Sequence, residues 1–229
     1  PYPPGVPLLM PGEVIDRAMI DHLRALLAAG IKLVGPEDAR LAMVRVVSGG
    51  RPTIRTMAAI LDFFYGRIKD HRGRSLDDLQ DQTEDELERN HDYIQWMFPL
   101  PEPSKFNPHA PLLTAEDIAA FRSNDALRLK LNTSFRILLR FYGLDVMTLL
   151  NGWIVKEIPT FEERSVNWLT TGNHNYLRLT RMLRSLPLLG CENHANALLA
   201  CLERLYPAYS SVIGEETLAY WRNAVKIEQ

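Results

Sequence analysis

The sequence predicts a mainly α-helical fold, a compact multi-helix bundle or array, with a small α/β appendage at the N-terminus. Apolar residues recur at helical spacing through most of the chain beyond residue 53, and short connections separate these stretches. Two of the stretches begin with a Thr-x-x-acid signal of the kind that caps helices. Of the 229 residues 46% are hydrophobic, so the chain can bury a core. We expect domains at residues 1–48 and 53–229.

The N-terminal unit differs in composition from the rest. Residues 1–13 are rich in Pro and Gly, which favours turns over a helix or a central strand. Residues 14–29 carry apolar positions at helical spacing, and Gly30 stands where a left-handed C-cap belongs. Residues 31–34 and 42–47 have the character of two short strands. A Gly- and Pro-containing junction at residues 48–52 predicts the domain boundary.

The second domain is expected to be helical almost throughout. An apolar face over residues 54–65 predicts its first helix. A capping box from Thr83 to Glu86 begins a helix that is expected to continue until Pro99, and Thr114 to Asp117 is a weaker start signal. The stripe over residues 127–142 predicts a helix with Gly143 as its C-cap. Three further helices are predicted at 173–186, where Leu177, Met182, Leu183 and Leu186 supply the apolar side, at 191–205 and at 215–227.

A Pro-rich segment interrupts the helices between residues 99 and 111. Its five prolines exclude a helix, whereas Phe98, Leu100 and Phe106 would be costly to leave in water. We therefore expect an ordered loop wrapped on the helices.

Charge and cysteine content exclude several classes of protein. The formal charge of -2 offers no general basic field, so non-specific nucleic-acid binding is not expected. Two cysteines are too few for a secreted disulfide scaffold, and no apolar run approaches the ~20 residues that span a bilayer. We expect a cytoplasmic protein without a membrane anchor or signal peptide. The start at Pro1 is expected to mark a processed chain or a piece of something longer.

Three blocks of residues resemble one protein family. They are Asn90-His-Asp-Tyr-Ile-Gln-Trp-Met-Phe-Pro-Leu-Pro-Glu-Pro103, Leu139-Arg-Phe-Tyr-Gly143, and Asn167-Trp168 followed by His174-Asn-Tyr-Leu-Arg-Leu-Thr-Arg-Met-Leu-Arg-Ser-Leu186. In this order they resemble the opioid growth factor receptor conserved region over about residues 57 to 227. Met97 and Tyr176 depart from the family pattern, and residues 144–163 do not align with it. The resemblance implies a helical fold and, in animal members, a peptide-binding growth regulator.

The first residues resemble a different family. Tyr2, Pro3, Pro4 and Gly5, followed by Pro11, Gly12 and Glu13, are similar to the C-terminal end of the ornithine/lysine/arginine decarboxylases. In those pyridoxal-phosphate enzymes a lysine in an S-x-H-K setting carries the cofactor, and no lysine of this chain stands in that setting. We expect no cofactor in this chain. Pyridoxal phosphate would require a decarboxylase domain upstream.

One candidate binding cluster lies beside the Pro-rich loop. Its members are polar or amphipathic: His91, Asp92, Tyr93, Gln95 and Trp96. Trp and Tyr offer contact area with a polar handle, and His and Gln supply directed hydrogen bonds, so these residues can line a small-ligand or peptide pocket. The alternative is structural, with the same side chains satisfying backbone groups of the loop.

A second candidate cluster opens the helix predicted after residue 173. Asn173, His174, Asn175 and Arg178 stand at a helix start, where backbone N–H groups and the helix dipole favour an anion. Arg181 and Arg184 continue the spacing of three residues and can extend an anion or carboxylate site. The alternative is a solvated arginine face. We expect both clusters to form one groove, with His91 or Trp96 near His174 or Arg178.

No metal site is predicted. Cys191, Glu192 and His194 offer one C-x-x-H pair, which fills only half of a tetrahedral zinc set. Cys201 stands among apolar helical residues and is expected in the core. No G-x-S-x-G, P-loop, G-x-G-x-x-G or H-E-x-x-H motif occurs.

Three functional hypotheses follow. The first is a helical binding or accessory module, with a peptide, small-molecule or protein partner, appended to a decarboxylase-like segment. The second is a small-molecule catalytic site built from His91, His174 and Arg178. The third is the C-terminal part of a pyridoxal-phosphate-dependent decarboxylase fusion. The sequence leaves the oligomeric state open.

Overall fold

In the computed structural model, residues 59–104, 107–149 and 152–226 are described. Within these ranges the chain forms ten helices and one two-stranded sheet, which confirms a mainly α fold with a small strand element. The predicted helix at 14–29, the strands at 31–34 and 42–47, the junction at 48–52 and Phe106 lie outside the described residues. The domain boundary therefore stays a prediction.

Helix starts in the first half follow local capping chemistry. The helices are α1 (Ala59–Phe64), α2 (Leu76–Gln80), α3 (Glu84–Arg89), α4 (Ile94–Met97), α5 (Ala115–Ser123) and α6 (Asp125–Phe141). Capping boxes at Thr83 and Thr114 are both confirmed, with each threonine hydroxyl accepting from the N3 amide. A third box, from Ser75 to Asp78, begins α2 and was not predicted.

The helix predicted from Thr83 to Pro99 is in fact two helices. The prediction of one continuous helix is wrong, because α3 ends at Arg89 and Asn90 takes an extended conformation before α4 begins at Ile94. The carbonyl of Asn90 accepts a 2.7 Å hydrogen bond from Arg178, a residue 88 positions away. A tertiary donor thus replaces the helical partner that this carbonyl would otherwise have.

A β-hairpin, β1 (Leu144–Leu149) and β2 (Gly152–Glu157), interrupts the helices after α6. The strands are antiparallel, with Val146 opposite Val155, and both of these side chains are buried. The expectation that the second domain is helical almost throughout is wrong here. Gly143, with a φ of 76°, ends α6 as predicted and turns the chain into the hairpin.

The second half completes the core. It contains α7 (Phe161–Trp168), α8 (Asn175–Leu188), α9 (Glu192–Ile213) and α10 (Glu215–Ala224). Helix α8 has His174 at its N-cap position rather than the predicted Asn173, although the Asn173 side-chain oxygen does accept from the Asn175 amide at 2.9 Å. Helix α9 runs eight residues beyond its predicted end at Leu205, past Pro207, with non-helical dihedrals at Tyr209. Helices α8, α9 and α10 pack together, and the hairpin packs on α6 and α9.

The Pro-rich segment is an ordered loop, as predicted. Its described residues, 99–104 and 107–111, contain no helix or strand, while Phe98 and Leu100 are buried. Helix α8 holds the loop through backbone acceptors: the Arg181 Nε donates to the Phe98 carbonyl at 2.8 Å, and the Ser185 hydroxyl donates to the Pro99 carbonyl at 2.9 Å. The loop therefore has a fixed position beside the middle and second half of α8.

Candidate functional site

The two candidate clusters meet between the end of α3 and the first turns of α8. The rings of His91 and His174 stand edge to face, with centroids 4.8 Å apart. This contact confirms the expectation that the two sequence blocks pack together. Trp96 takes another position, since it is buried with its ring 4.7 Å from that of Phe63.

Arg178 connects the two blocks. Only 4% of this residue is exposed, and its Nη2 donates to the carbonyls of Asn90 at 2.7 Å and Glu88 at 3.3 Å. Its Nη1 donates to the Asn175 Oδ1 at 2.9 Å, and its guanidinium lies 5.3 Å from the centre of the Tyr93 ring. The alternative of a solvated arginine face is therefore wrong for this residue. Its donors are committed to the protein, so Arg178 positions the site.

Asn175 and Tyr93 lie beneath the site and support it. Asn175 is fully buried; its side-chain nitrogen donates to the Glu88 Oε2 at 3.2 Å, and its oxygen accepts from Arg178 and from the Tyr142 hydroxyl. Burial raises the pKa of Tyr93 to about 12. The Tyr93 hydroxyl has no hydrogen-bond partner within the described part of the chain.

A pocket of about 270 Å³ opens above this layer. Eight residues from α4, the Pro-rich loop, the α3–α4 connection and α8 line it: His91, Ile94, Gln95, Ser104, His174, Leu177, Arg178 and Arg181. Five of the eight predicted ligand-binding residues are among them, and Tyr93, Trp96 and Asn175 are not. Their role toward a ligand stays a prediction.

Sequence reasoning missed three lining residues. Ile94 is an apolar residue within the helix predicted from Thr83 to Pro99, which indicates a core position, and Ser104 carries no signal beyond its place in the loop. The assignment of Leu177 to the buried face of its helix is wrong, because 61% of it is exposed at the pocket rim. The buried apolar stripe of α8 instead follows Leu179, Met182, Leu183 and Leu186. That spacing of three, one and three residues was the available signal.

Arg181 is the cation of the pocket whose charge is least balanced. It is half-buried, and burial lowers its pKa to about 10, against the weaker opposing influence of Glu102. The Arg181 Nε donates to the Phe98 carbonyl. Among residues 59–104, 107–149 and 152–226, no carboxylate lies within 4 Å of the Arg181 guanidinium. Arg184, three residues on, is by contrast paired with Glu102.

Gln95 supplies a buried acceptor. It is 3% exposed, and its Nε2 donates to the Ser104 hydroxyl at 3.3 Å. Its Oε1 receives no hydrogen bond from any described residue. The predicted structural role, fixing the loop, thus accounts for one end of this amide, and the other end has no hydrogen-bond donor among the described residues.

His174 faces both a carboxylate and cations. Its Nε2 is 3.4 Å from the Glu88 Oε1. Burial lowers the pKa of His174 below its usual value, with Arg178 adding to the effect and Glu88 opposing it. The ring is therefore neutral at pH 7, and it adds no positive charge beside Arg181.

The cysteines and His194 lie elsewhere. The His194 ring packs 4.3 Å from the Trp153 ring, and its Nε2 is 3.1 Å from the Asn132 Oδ1. Cys201 is fully buried in the core, as predicted. Where the chain is described, no group of three or more His, Cys, Asp or Glu side chains is arranged to hold a metal ion. The expectation for Cys191 and His194 stays a prediction.

Across the described helices, none is both long enough and apolar enough to cross a bilayer. The fold and the site together define a helical domain in which two segments distant in sequence form one ligand-sized pocket. A family model for the opioid growth factor receptor (OGFr) conserved region matches residues 55–229. The chain belongs to that family.

Curated relatives agree with this assignment. Opioid growth factor receptor of Mus musculus is 41% identical over 110 residues, covering 48% of this chain and 17% of the relative. The receptor of Homo sapiens is 39% identical over 121 residues, 51% of this chain and 17% of its own length. Opioid growth factor receptor-like protein 1 of Xenopus tropicalis is 38% identical over 109 residues, 48% of this chain and 20% of the relative. The matched segment thus spans about a fifth of these relatives.

The N-terminal resemblance also has a match. A family model for the C-terminal domain of Orn/Lys/Arg decarboxylases covers residues 1–39. Arginine decarboxylase of Bacillus subtilis (strain 168) is 46% identical over 46 residues, 20% of this chain and 9% of the enzyme. The motif from Tyr2 to Glu13 lies outside the described residues. No solved structure matches the chain.

Proposed function

We propose that this chain is a binding module whose pocket between His91 and Arg181 receives a peptide or small-molecule ligand. The pocket itself carries the proposal. It combines a half-buried arginine that has no carboxylate partner among the described residues with a buried amide oxygen that receives no donor there. Such groups are costly in a folded domain unless a ligand satisfies them. The volume of about 270 Å³ suits one amino-acid residue or a small metabolite.

The names of the relatives favour a peptide ligand. The mouse, rat and human relatives are named receptors of an opioid growth factor. That growth factor is therefore the first ligand to test. The exposed Leu177 at the rim adds apolar surface that a side chain of a peptide can cover.

A matched pair of substitutions tests the site. Leu177→Trp places an indole over the pocket, whereas Leu129→Trp makes the same change on α6 at a similar exposure, 65% against 61%. Binding of opioid growth factor and of a pool of short synthetic peptides is measured by calorimetry and by NMR with ¹⁵N-labelled full chain. We expect wild type and Leu129→Trp to bind with the same affinity, and Leu177→Trp to bind at least about tenfold more weakly. Equal binding by both variants would place the site elsewhere.

The catalytic alternative has less support. A catalytic Arg178 would need a guanidinium free to contact substrate, yet its donors go to Asn90, Glu88 and Asn175. His91 and His174 contact each other in the pocket without a described nucleophile between them. A binding role needs only the groups that the pocket already presents.

The N-terminal match supports a second candidate function. We propose that residues 1–39 are the end of a pyridoxal-phosphate-dependent amino-acid decarboxylase joined to the helical module. The cofactor lysine would then lie in residues preceding Pro1. Reading the encoded sequence upstream tests this: an S-x-H-K motif within a decarboxylase-like region supports the fusion, and a start codon next to Pro1 refutes it. The proposed location is the cytoplasm, to be checked by fractionating cells that express the tagged protein.

A further inference from the structure

Three features of the pocket restrict the chemical groups that its ligand can carry. The first is the charge of Arg181. Along α8, Arg178 donates to protein acceptors and Arg184 is paired with Glu102, whereas Arg181 has no carboxylate within 4 Å in the described ranges. A half-buried guanidinium of this kind favours an anion on the ligand. Among the described lining residues, Arg178 has the Glu88 carboxylate 3.8 Å away and His174 is neutral, so the charge of Arg181 is the one left to balance. A single positive charge fits a carboxylate better than a doubly charged phosphate.

The second feature is the buried oxygen of Gln95. Gln95 is 3% exposed and its Oε1 receives no donor from the described residues, so a ligand N–H or O–H that reaches this oxygen would give it the partner it lacks. An inorganic anion that carries only acceptors would be repelled there. The ligand therefore presents a donor and a carboxylate within one small group.

The third feature is apolar lining. Ile94 is buried in the pocket wall and Leu177 stands exposed at the rim, so the same small group carries an apolar side chain. The volume of about 270 Å³ accommodates one residue and little more.

We propose that the pocket recognises the C-terminal residue of a peptide. In this arrangement the terminal carboxylate accepts from Arg181, the N–H of the same residue donates to the Gln95 Oε1, and the apolar side chain packs on Ile94 and Leu177. Within a peptide chain, an amide N–H and a carboxylate are joined to one α-carbon only at the free C-terminus. This inference rests on the proposed function, because it specifies which end of a ligand the same pocket holds.

Four short peptides test it. They are acetyl-Gly-Gly-Leu with a free carboxylate, the same peptide with a C-terminal amide, the free acid with an N-methylated leucine, and acetyl-Gly-Asp-amide, which carries an internal carboxylate. Each is titrated into ¹⁵N-labelled full chain, and the affinity is taken from the signals of residues 91–95 and 174–181. We expect the free acid to bind at least tenfold more tightly than each of the other three.

Variants connect this preference to the two residues. Arg181→Gln is expected to remove the preference for acid over amide, Arg181→Lys to retain part of it, and Arg184→Gln, the control, to retain all of it. Circular dichroism confirms that each variant is folded. Loss of preference in Arg184→Gln as well would overturn the assignment to Arg181.

The outcomes separate the two proposals. Equal binding of acid and amide at the pocket signals would overturn C-terminal recognition and leave the binding function standing. Tight binding of the Asp peptide would mean that the pocket recognises an acidic side chain instead of a C-terminus, and this result would also overturn the inference. If the N-methylated acid binds as well as its parent, the role of Gln95 is wrong. If no peptide, including opioid growth factor, shifts the pocket signals, both proposals fail.

Discussion

Replacing Arg178 with methionine removes the charge that joins the α3–α4 connection to α8 while keeping a long side chain in the same space. In the wild type this guanidinium donates to two backbone carbonyls, those of Glu88 and Asn90, and to the side-chain oxygen of Asn175. It also lies over the Tyr93 ring. Methionine can fill the volume but cannot donate to any of these acceptors.

The three lost hydrogen bonds to oxygen acceptors set the magnitude. Asn175 is fully buried, so the loss of a charged donor there costs about 1.5–3 kcal/mol. The carbonyls of Glu88 and Asn90 are part-buried and regain some water, so each costs about 0.5–1 kcal/mol. We expect Arg178→Met to lower the free energy of unfolding by about 2.5–5 kcal/mol, with the melting temperature falling by about 10 °C.

Urea unfolding followed by far-UV circular dichroism measures this change. Arg222→Met serves as the control, because Arg222 is exposed and its one described ion pair is with Glu203. Its expected effect is below about 0.5 kcal/mol. If Arg178→Met unfolds within about 1 kcal/mol of wild type, its bonds do not hold the two blocks together, and the structural role given to Arg178 is wrong.

Three further predictions concern the fold. Gly143→Ala is expected to destabilise the chain by about 2–4 kcal/mol, because φ is 76° and a Cβ would stand 2.6 Å from the Phe161 Cα. The control, Gly66→Ala, has a φ of 73° with open space around it and should cost about 1 kcal/mol. Equal melting temperatures for the two variants would contradict this reasoning. Burial lowers the pKa of His194 below 6.5. At pH values near and below 6.5 the unfolded chain therefore binds more protons than the folded chain. The free energy of unfolding should then fall as the pH drops from 7.5 to 5.5. His194→Gln should flatten this slope in urea titrations, and an unchanged slope would mean that His194 does not contribute to it. Residues 53–229 expressed alone should unfold cooperatively near the melting temperature of the full chain, whereas an aggregating product would show that the boundary was misplaced.

Local chemistry made much of the fold predictable. The boxes at Thr83 and Thr114 need only residues three apart, and the structure confirms both. The same rule applied to Ser75 and Asp78 would have found α2. Capping boxes can be predicted from the sequence because the side chains that accept from the first N–H groups of the helix lie within or next to the same helix.

The hairpin shows a signal that was present but not used. Asn151-Gly152 is a strong turn signal, and β-branched Val146, Ile154 and Val155 flank it. The signal falls one residue late, because Gly152 is already the first residue of β2, opposite Leu149. Hydrophobic spacing alone does not separate such short apolar runs from helix. The helical expectation for the whole domain outweighed the turn.

Other features could not be predicted from spacing, because they depend on distant partners. The hydrophobic pattern of residues 83–99 predicts a continuous helix, yet the helix breaks at Asn90. The Asn90 carbonyl that the break exposes accepts a hydrogen bond from Arg178, 88 residues later. Likewise, Arg178, Arg181 and Arg184 are equivalent by spacing, yet the structure buries the first, half-buries the second and exposes the third. The packing of the loop and α3 against α8 decides which arginine is available to a ligand.

The distance in sequence between the two pocket walls has a thermodynamic consequence. His91 and Arg178 are 87 residues apart, so neither wall exists as a surface until the intervening chain has closed on itself. A ligand that needs both walls binds only the folded domain, and therefore raises its melting temperature in proportion to the logarithm of ligand concentration above Kd. Unlabelled compounds can thus be screened by thermal shift on the intact domain, whereas a fragment that ends before residue 174 should respond to none of them.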